Sequence, residues 1–135
     1  MNSLFTAIYN KFTATTTGFY NDVSGRMYLY KAPQDAPFPY CVYFPVSDLN
    51  DVDFSDETEE FLVQFNVFSQ SNSATEAGTL LASLKTLYDD CDLTVTGWRH
   101  LEFSRGTVYP LNNYDKETTT YGYAVEYDVT LEQER

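Results

Sequence analysis

T-Y-G-Y-A-V-E-Y-D-V-T-L, Thr120 to Leu131, has the period of a strand along its whole length. Tyr121, Tyr123, Val125, Tyr127, Val129 and Leu131 fall on one side, and Thr120, Gly122, Ala124, Glu126, Asp128 and Thr130 on the other. A repeat of two matches the pleat, in which successive side chains point to opposite faces. One face therefore meets a core and the other meets water or a partner. F-L-V-Q-F-N-V-F-S, Phe61 to Ser69, repeats the device: Phe61, Val63, Phe65 and Val67 form an apolar face. Its opposite face, Leu62, Gln64, Asn66 and Phe68, is mixed, which predicts partial cover.

Two helices flank these strands. Leu4, Phe5, Ile8, Tyr9 and Phe12 make one apolar stripe at helical spacing, with Asn2 or Ser3 available as a cap. The threonine-rich run after Phe12 and Gly18 should end this helix. Ser73-Ala74-Thr75-Glu76 fits a capping box, and Ala77, Leu80, Leu81, Leu84, Leu87 and Tyr88 carry the second helix to about Asp90. Between them lie a turn near Asn21 to Gly25, a short strand at Met27 to Tyr30, and a strand from Tyr40 that contains Pro45. Pro45 has no N–H for a ladder, which puts it at an edge or beside a bulge. After the second helix, strands are expected at Leu93 to Val95 and Trp98 to Val108, with a bulge near Gly106 and a turn from Pro110 to Glu117. Hairpin-length links suggest one α+β domain over residues 1–135, a mainly antiparallel sheet with two helices packed on one face.

The arm A-P-Q-D-A-P-F-P-Y, Ala32 to Tyr40, is excluded from helix and from a central strand by Pro33, Pro37 and Pro39. It reads as an ordered, extended surface segment in which Phe38 and Tyr40 supply apolar anchors. Two uses fit: a contact to another subunit or partner, or a cover over its own sheet.

Twenty acids against eight bases give a net charge of −12, which repels phosphate backbones and anionic lipid. Direct nucleic-acid binding is not expected. Met1-Asn2-Ser3-Leu4-Phe5 lacks a basic segment followed by a long apolar one, so neither export nor membrane residence is indicated. Cys41 and Cys91 read as reduced, small apolar residues. Asp48, Asp51, Asp53, Asp56, Glu57, Glu59 and Glu60 fall in a hydrophilic stretch that reads as a solvated loop. An EF-hand register begun at Asp51 places Asp56 where glycine is required and Leu62 where the bidentate glutamate belongs, so no calcium loop is predicted.

The single histidine, His100, reads as packed or interfacial in a strand, with no G-x-S-x-G elbow to complete a triad. Glu102, Glu126 and Asp128 are the only carboxylates whose strand positions suggest pairing. Zinc and nucleotide motifs are lacking, and no cofactor is expected. An acidic DNA mimic would account for the charge, although its densest acids sit in one loop. A carboxylate-dependent hydrolase would need a concave site that a sequence does not display.

In order and spacing, L-F-T-A-I-Y, G-R-M-Y, the proline arm, F-L-V-Q-F-N-V-F-S, E-A-x-x-L-L-x-x-L and L-T-V-T-G-W-R-H resemble the small tail-terminator, or tail-completion and head-to-tail joining, proteins of tailed bacteriophages. The resemblance implies a non-enzymatic virion protein of the tail or neck, made in the host cytoplasm, that closes into a hexameric ring with copies of itself. It further implies a tail-tube protein on one face of that ring and a head connector or stopper on the other. No catalytic residues come with the family. The residues placed as contacts are Pro37, Phe38 and Tyr40 of the arm and Asp48, Asp51, Asp53, Asp56 and Glu57 of the acidic stretch.

Overall fold

A computed structural model describes residues 2–14, 18–50, 58–70, 74–111, 113–114 and 119–133. The described elements run α1 (Asn2–Ala14), α2 (Phe19–Asp22), β1 (Met27–Leu29), β2 (Tyr40–Asn50), β3 (Thr58–Ser69), α3 (Thr75–Tyr88), β4 (Trp98–Pro110), β5 (Asn113–Tyr114) and β6 (Thr119–Gln133). The strand order is β1-β2-β3-β6-β4, with the two-residue β5 paired to the start of β6. The fold is α+β, and every pairing but one is antiparallel: β1 lies parallel to β2, with Met27 opposite Cys41.

The last strand is also a central one, paired with β3 along one edge and with β4 along the other. Phe65 faces Val125 and Val63 faces Tyr127 across β3–β6, while Phe103 faces Val129 across β4–β6. The residues of the anticipated inner face are buried as the period demands: Phe61, Val63, Phe65 and Val67 on β3, and Val125, Tyr127, Val129 and Leu131 on β6. Leu80, Leu84 and Tyr88 of α3 and Leu4, Ile8 and Phe12 of α1 close that face.

Tyr88 joins the layers. Its ring lies 4.8 Å from that of Phe65 and 5.7 Å from that of Phe103, and its hydroxyl donates to the Ile8 carbonyl of α1 at 2.8 Å. Tyr127 donates to Asp89 Oδ1 at 2.6 Å just past the end of α3, and Arg105 Nη1 of β4 pairs with the other carboxylate oxygen at 2.8 Å. Aromatic rings provide large buried areas here, and their polar tips are satisfied at the layer boundaries. Burial pushes the Tyr88 and Tyr127 phenols well above their usual range; for Tyr127 the bond to Asp89 adds to this.

Several expectations change. Of the stretch from Asp48 to Glu60 read as a loop, residues 51–57 lie outside the described residues, and its two ends carry the β2–β3 ladder outward: Asp48 pairs with Phe61, Leu49 with Glu60 and Asn50 with Glu59. Thr58 to Glu60 also pair with Glu132 to Thr130 of β6. A strand template on one side of these residues outweighs their weak strand preference. Ser73 of the expected capping box lies outside the described residues; Ala74 precedes α3 without a side-chain bond, and Glu76 Oε1 accepts from Ser69 Oγ at 2.6 Å. Leu93 to Val95 forms no strand but a single bridge, Val95 to Trp98. Part of the anticipated turn at Asn21 to Gly25 is the short helix α2, entered through Gly18 at φ +67. Pro45 sits at a bulge, beyond the reach of β1 and so on an open edge. A second β4 irregularity, between Arg105 and Val108, coincides with Gly106.

Gly122 marks a place where only glycine fits. A Cβ there would lie 2.5 Å from the Val67 carbonyl oxygen and 3.1 Å from that of Leu111. Both obstacles are backbone atoms of paired segments, so relief requires moving β3 away from β6. Gly122→Ala should cost about 1–3 kcal/mol, the usual penalty of overpacking, read as a lower denaturant midpoint at unchanged m-value.

Candidate interface: the outer sheet face and the β1 edge

Both helices lie on one side of the sheet, so the other side is the surface open to contact. Its covering is uneven. Near the start of β2, four aromatic side chains meet on it: Phe38 and Tyr40 at 5.0 Å between ring centres, Tyr40 and Phe68 at 5.3 Å, and Tyr28 and Tyr40 at 6.2 Å. The proline arm reaches this cluster by way of Arg26, whose Nε donates to the Pro39 carbonyl at 3.0 Å and whose Nη2 donates to that of Phe38 at 3.2 Å. The arm thus lies on its own sheet, with Phe38 and Tyr40 half-buried and Pro37 exposed.

In the middle of the same face, Tyr109 of β4 lies beside Ala124 and donates to Gln64 Oε1 at 3.3 Å, while Gln64 Nε2 donates to Asn66 Oδ1 at 2.7 Å. That polar chain explains how Gln64 is buried on the outer face and why Ala124 is fully covered. Toward the far end of β6 the face turns acidic. Glu60, Glu102 and Asp128 line a groove of about 370 Å³ together with Leu62, Thr130 and the strand segments at Phe61 and Val129, whose side chains are buried in the core, and Ser104 Oγ donates to Glu102 Oε1 at 2.6 Å. Glu126, considered with Glu102 and Asp128 as a carboxylate pair, lies on the same face but does not line the groove.

Of the anticipated contact residues, Phe38 and Tyr40 come together and Pro37 stands beside them. Asp48 lies on β2, far from that cluster, and Asp51, Asp53, Asp56 and Glu57 are outside the described residues. Among the described residues no group of three or more metal-ligating side chains is placed to hold a metal ion, and no helix is long and apolar enough to cross a membrane. Cys41 and Cys91 are free; Cys41 is buried, and burial raises the Cys91 thiol to about 11.

His100 packs on Phe103 at 6.1 Å, and its Nδ1 accepts from the Leu93 N–H at 3.4 Å, a tautomer that leaves the proton on a buried Nε2. Burial lowers its pKa, with the Glu102 backbone and the Asp92 charge acting the other way.

A second exposed surface was not singled out by the sequence reading. Tyr9 of α1 is 40% exposed, Leu29 of β1 37%, and Tyr30 62%. They cluster at the β1 edge, where two depressions of about 450 and 500 Å³ open beside Tyr43. Tyr9 was assigned to the buried stripe of its helix, and Tyr30 to a strand; only the placement of β1 at a sheet margin leaves them outside.

No family model and no curated protein matches this chain. Among solved structures, a chain of the virion of a native gene transfer agent particle superposes with a TM-score of 0.76 at 15% identity, over 94% of this chain and 92% of its own. A further solved chain superposes with a TM-score of 0.55 at 16% identity, over 95% and 94%. At such identities the likeness is one of fold, and it extends over nearly the whole of each chain.

Two outcomes are expected from this geometry. Arg26→Ala should free the arm without unfolding the sheet, seen as faster hydrogen exchange over residues 32–40 and a stability loss of about 1–2 kcal/mol. The second concerns acid. His100 binds a proton less readily folded than unfolded, so stability present above the unfolded value of about 6.5 is lost as pH falls from there toward the folded pKa. Between about pH 7.5 and 5.5 the wild type should lose more stability than His100→Gln, in paired denaturant titrations.

Proposed function

We propose that this chain is a structural protein of the virion of a tailed phage or phage-derived particle, acting as a ring at the head-proximal end of the tail tube. The observation that carries this reading is the near-complete superposition on a chain of a gene transfer agent virion. The ordered set of short motifs shared with tail-terminator proteins supports the same direction independently of the coordinates. In this role the ring ends tail growth and offers its second face to the head connector or stopper.

The shape of the molecule suits such work. A sheet with helices on one side has an open face and two margins, and contacts made between unlike surfaces close into rings when the rotation allows. A ring has two different faces, as a joint between tube and connector requires. A net charge of −12 per copy repels DNA from the wall of a conduit through which it passes. The described carboxylates belong to a surface contact in this reading, not to catalysis.

Purified protein added to polymerising tail-tube protein should stop elongation, giving shorter tubes with one end occupied in electron micrographs, and native mass spectrometry of the capped ends should give six copies. Tubes of unchanged length with bare ends would refute the role. Displacement of DNA from a DNA-binding protein by the chain would point to the acidic mimic instead.

A further inference from the structure

The β1 margin is unlike the rest of this acidic surface. The two depressions there are lined chiefly by Tyr9, Leu29, Tyr43 and the start of the arm; no carboxylate lines either, and Lys31 is the one charged residue. Lys31 is exposed and makes no ion pair among the described residues.

Tyr30 adds a separate observation. It is a bulky residue at φ +67, a left-handed backbone that side chains of its size rarely adopt. Its N–H is held by the Tyr43 carbonyl at 2.9 Å, and the next N–H, of Lys31, bonds back to the Leu29 carbonyl at 2.8 Å. This tight end to β1 projects the Tyr30 ring outward, 62% exposed, where a glycine would adopt the same backbone without strain. The ring meets Phe5 edge-on at 6.3 Å yet stays mostly in water, and strain kept for a largely exposed ring points to a use for it.

Building on the ring reading, we infer that the Tyr9–Leu29–Tyr30–Lys31 patch docks on the acidic groove of Glu60, Glu102 and Asp128 on a second copy of this chain. Three features select that occupant. The charges are opposite, whereas patch against patch would set Lys31 near Lys31. Half-buried Leu62 lies among the carboxylates of the groove, so it offers an apolar contact to Leu29 and the tyrosine rings beside the charges that meet the lysine. The two surfaces also lie at opposite corners of one sheet. β1 pairs at the level of Phe65 to Val67, about five residues or roughly 17 Å along β3 from the groove, and is two to four strand spacings, about 10–19 Å, away across the sheet. Each copy therefore gives a patch to one neighbour and a groove to another, which is the heterologous contact that builds rings. The sheet margins themselves do not join by strand addition: β1 has three residues, and β4 is interrupted by two irregularities and ends in Pro110.

The test uses the full chain with Tyr30→Gly, Lys31→Glu and Glu102→Lys variants, followed by mass photometry and sedimentation velocity. Tyr30→Gly should keep or raise the melting temperature while the concentration for half-assembly rises at least tenfold. Lys31→Glu and Glu102→Lys should each weaken assembly alone, and a one-to-one mixture of the two should recover it, since opposite charges then meet at every contact. Wild-type-like assembly of Tyr30→Gly, or a mixture no better than its components, overturns the inference while leaving a ring built through other surfaces. A wild-type chain that stays monomeric both alone and on tail tubes overturns the ring reading itself. If the wild type is monomeric alone and Tyr30→Gly abolishes only tube binding, the occupant is the tube protein and the inference fails.

Discussion

The position of Tyr88 is the point on which the rest of this structure hangs. One fully buried side chain from α3 touches Phe65 of β3 and Phe103 of β4, lies near Tyr127 of β6, and donates its hydroxyl to a carbonyl of α1. A phenol can do this because its ring supplies apolar contact on two faces and its oxygen needs only one partner. The helices are thereby held to the same side of the sheet and to each other. That choice leaves the opposite face without a layer.

Much of the remaining architecture follows from managing that uncovered face. Its aromatic corner is roofed by the arm, which Arg26 clamps through two backbone carbonyls. Its centre is closed by Tyr109, Gln64 and Asn66 in a hydrogen-bonded chain, so that polar atoms are paired where water is excluded. Its far end remains acidic and grooved. Within one sheet face, then, the chain moves from apolar contact to carboxylate rim, and the apolar patch with its lysine sits beyond the other corner. A molecule built this way carries unlike surfaces at separated positions, which is the property that directional assembly uses.

The places where sequence reasoning fell short have identifiable causes. Asp48 to Asn50 and Thr58 to Glu60 are poor strand formers by composition, yet β6 offers Thr58 to Glu60 a partner ladder and β3 in turn offers one to Asp48 to Asn50. Glu76, which reads locally as a capping residue, also has a partner from outside its helix, Ser69, which the end of β3 brings close. The parallel pairing of β1 with β2 requires a chain path across the sheet that no local period reveals. In the candidate interface, Phe38 and Tyr40 are legible as anchors because prolines surround them, whereas Tyr9 falls on the apolar stripe of its helix and Tyr30 at the end of a strand.

The buried faces of β3 and β6, the apolar stripes of α1 and α3 and the ordered proline arm follow from alternation, helical period and ring constraint, which are properties of neighbouring residues, and the acidic character of the whole is a sum over the chain. Only the tertiary structure decided that β6 lies between β3 and β4, that the arm folds onto its own sheet, and that Tyr9, Leu29, Tyr30 and Lys31 share one exposed margin. Those outcomes depend on which strand is left at an edge. Edge and centre are relations between segments distant in the chain, set by the pairing of whole strands, and a strand's own residues carry no record of how many neighbours it will have.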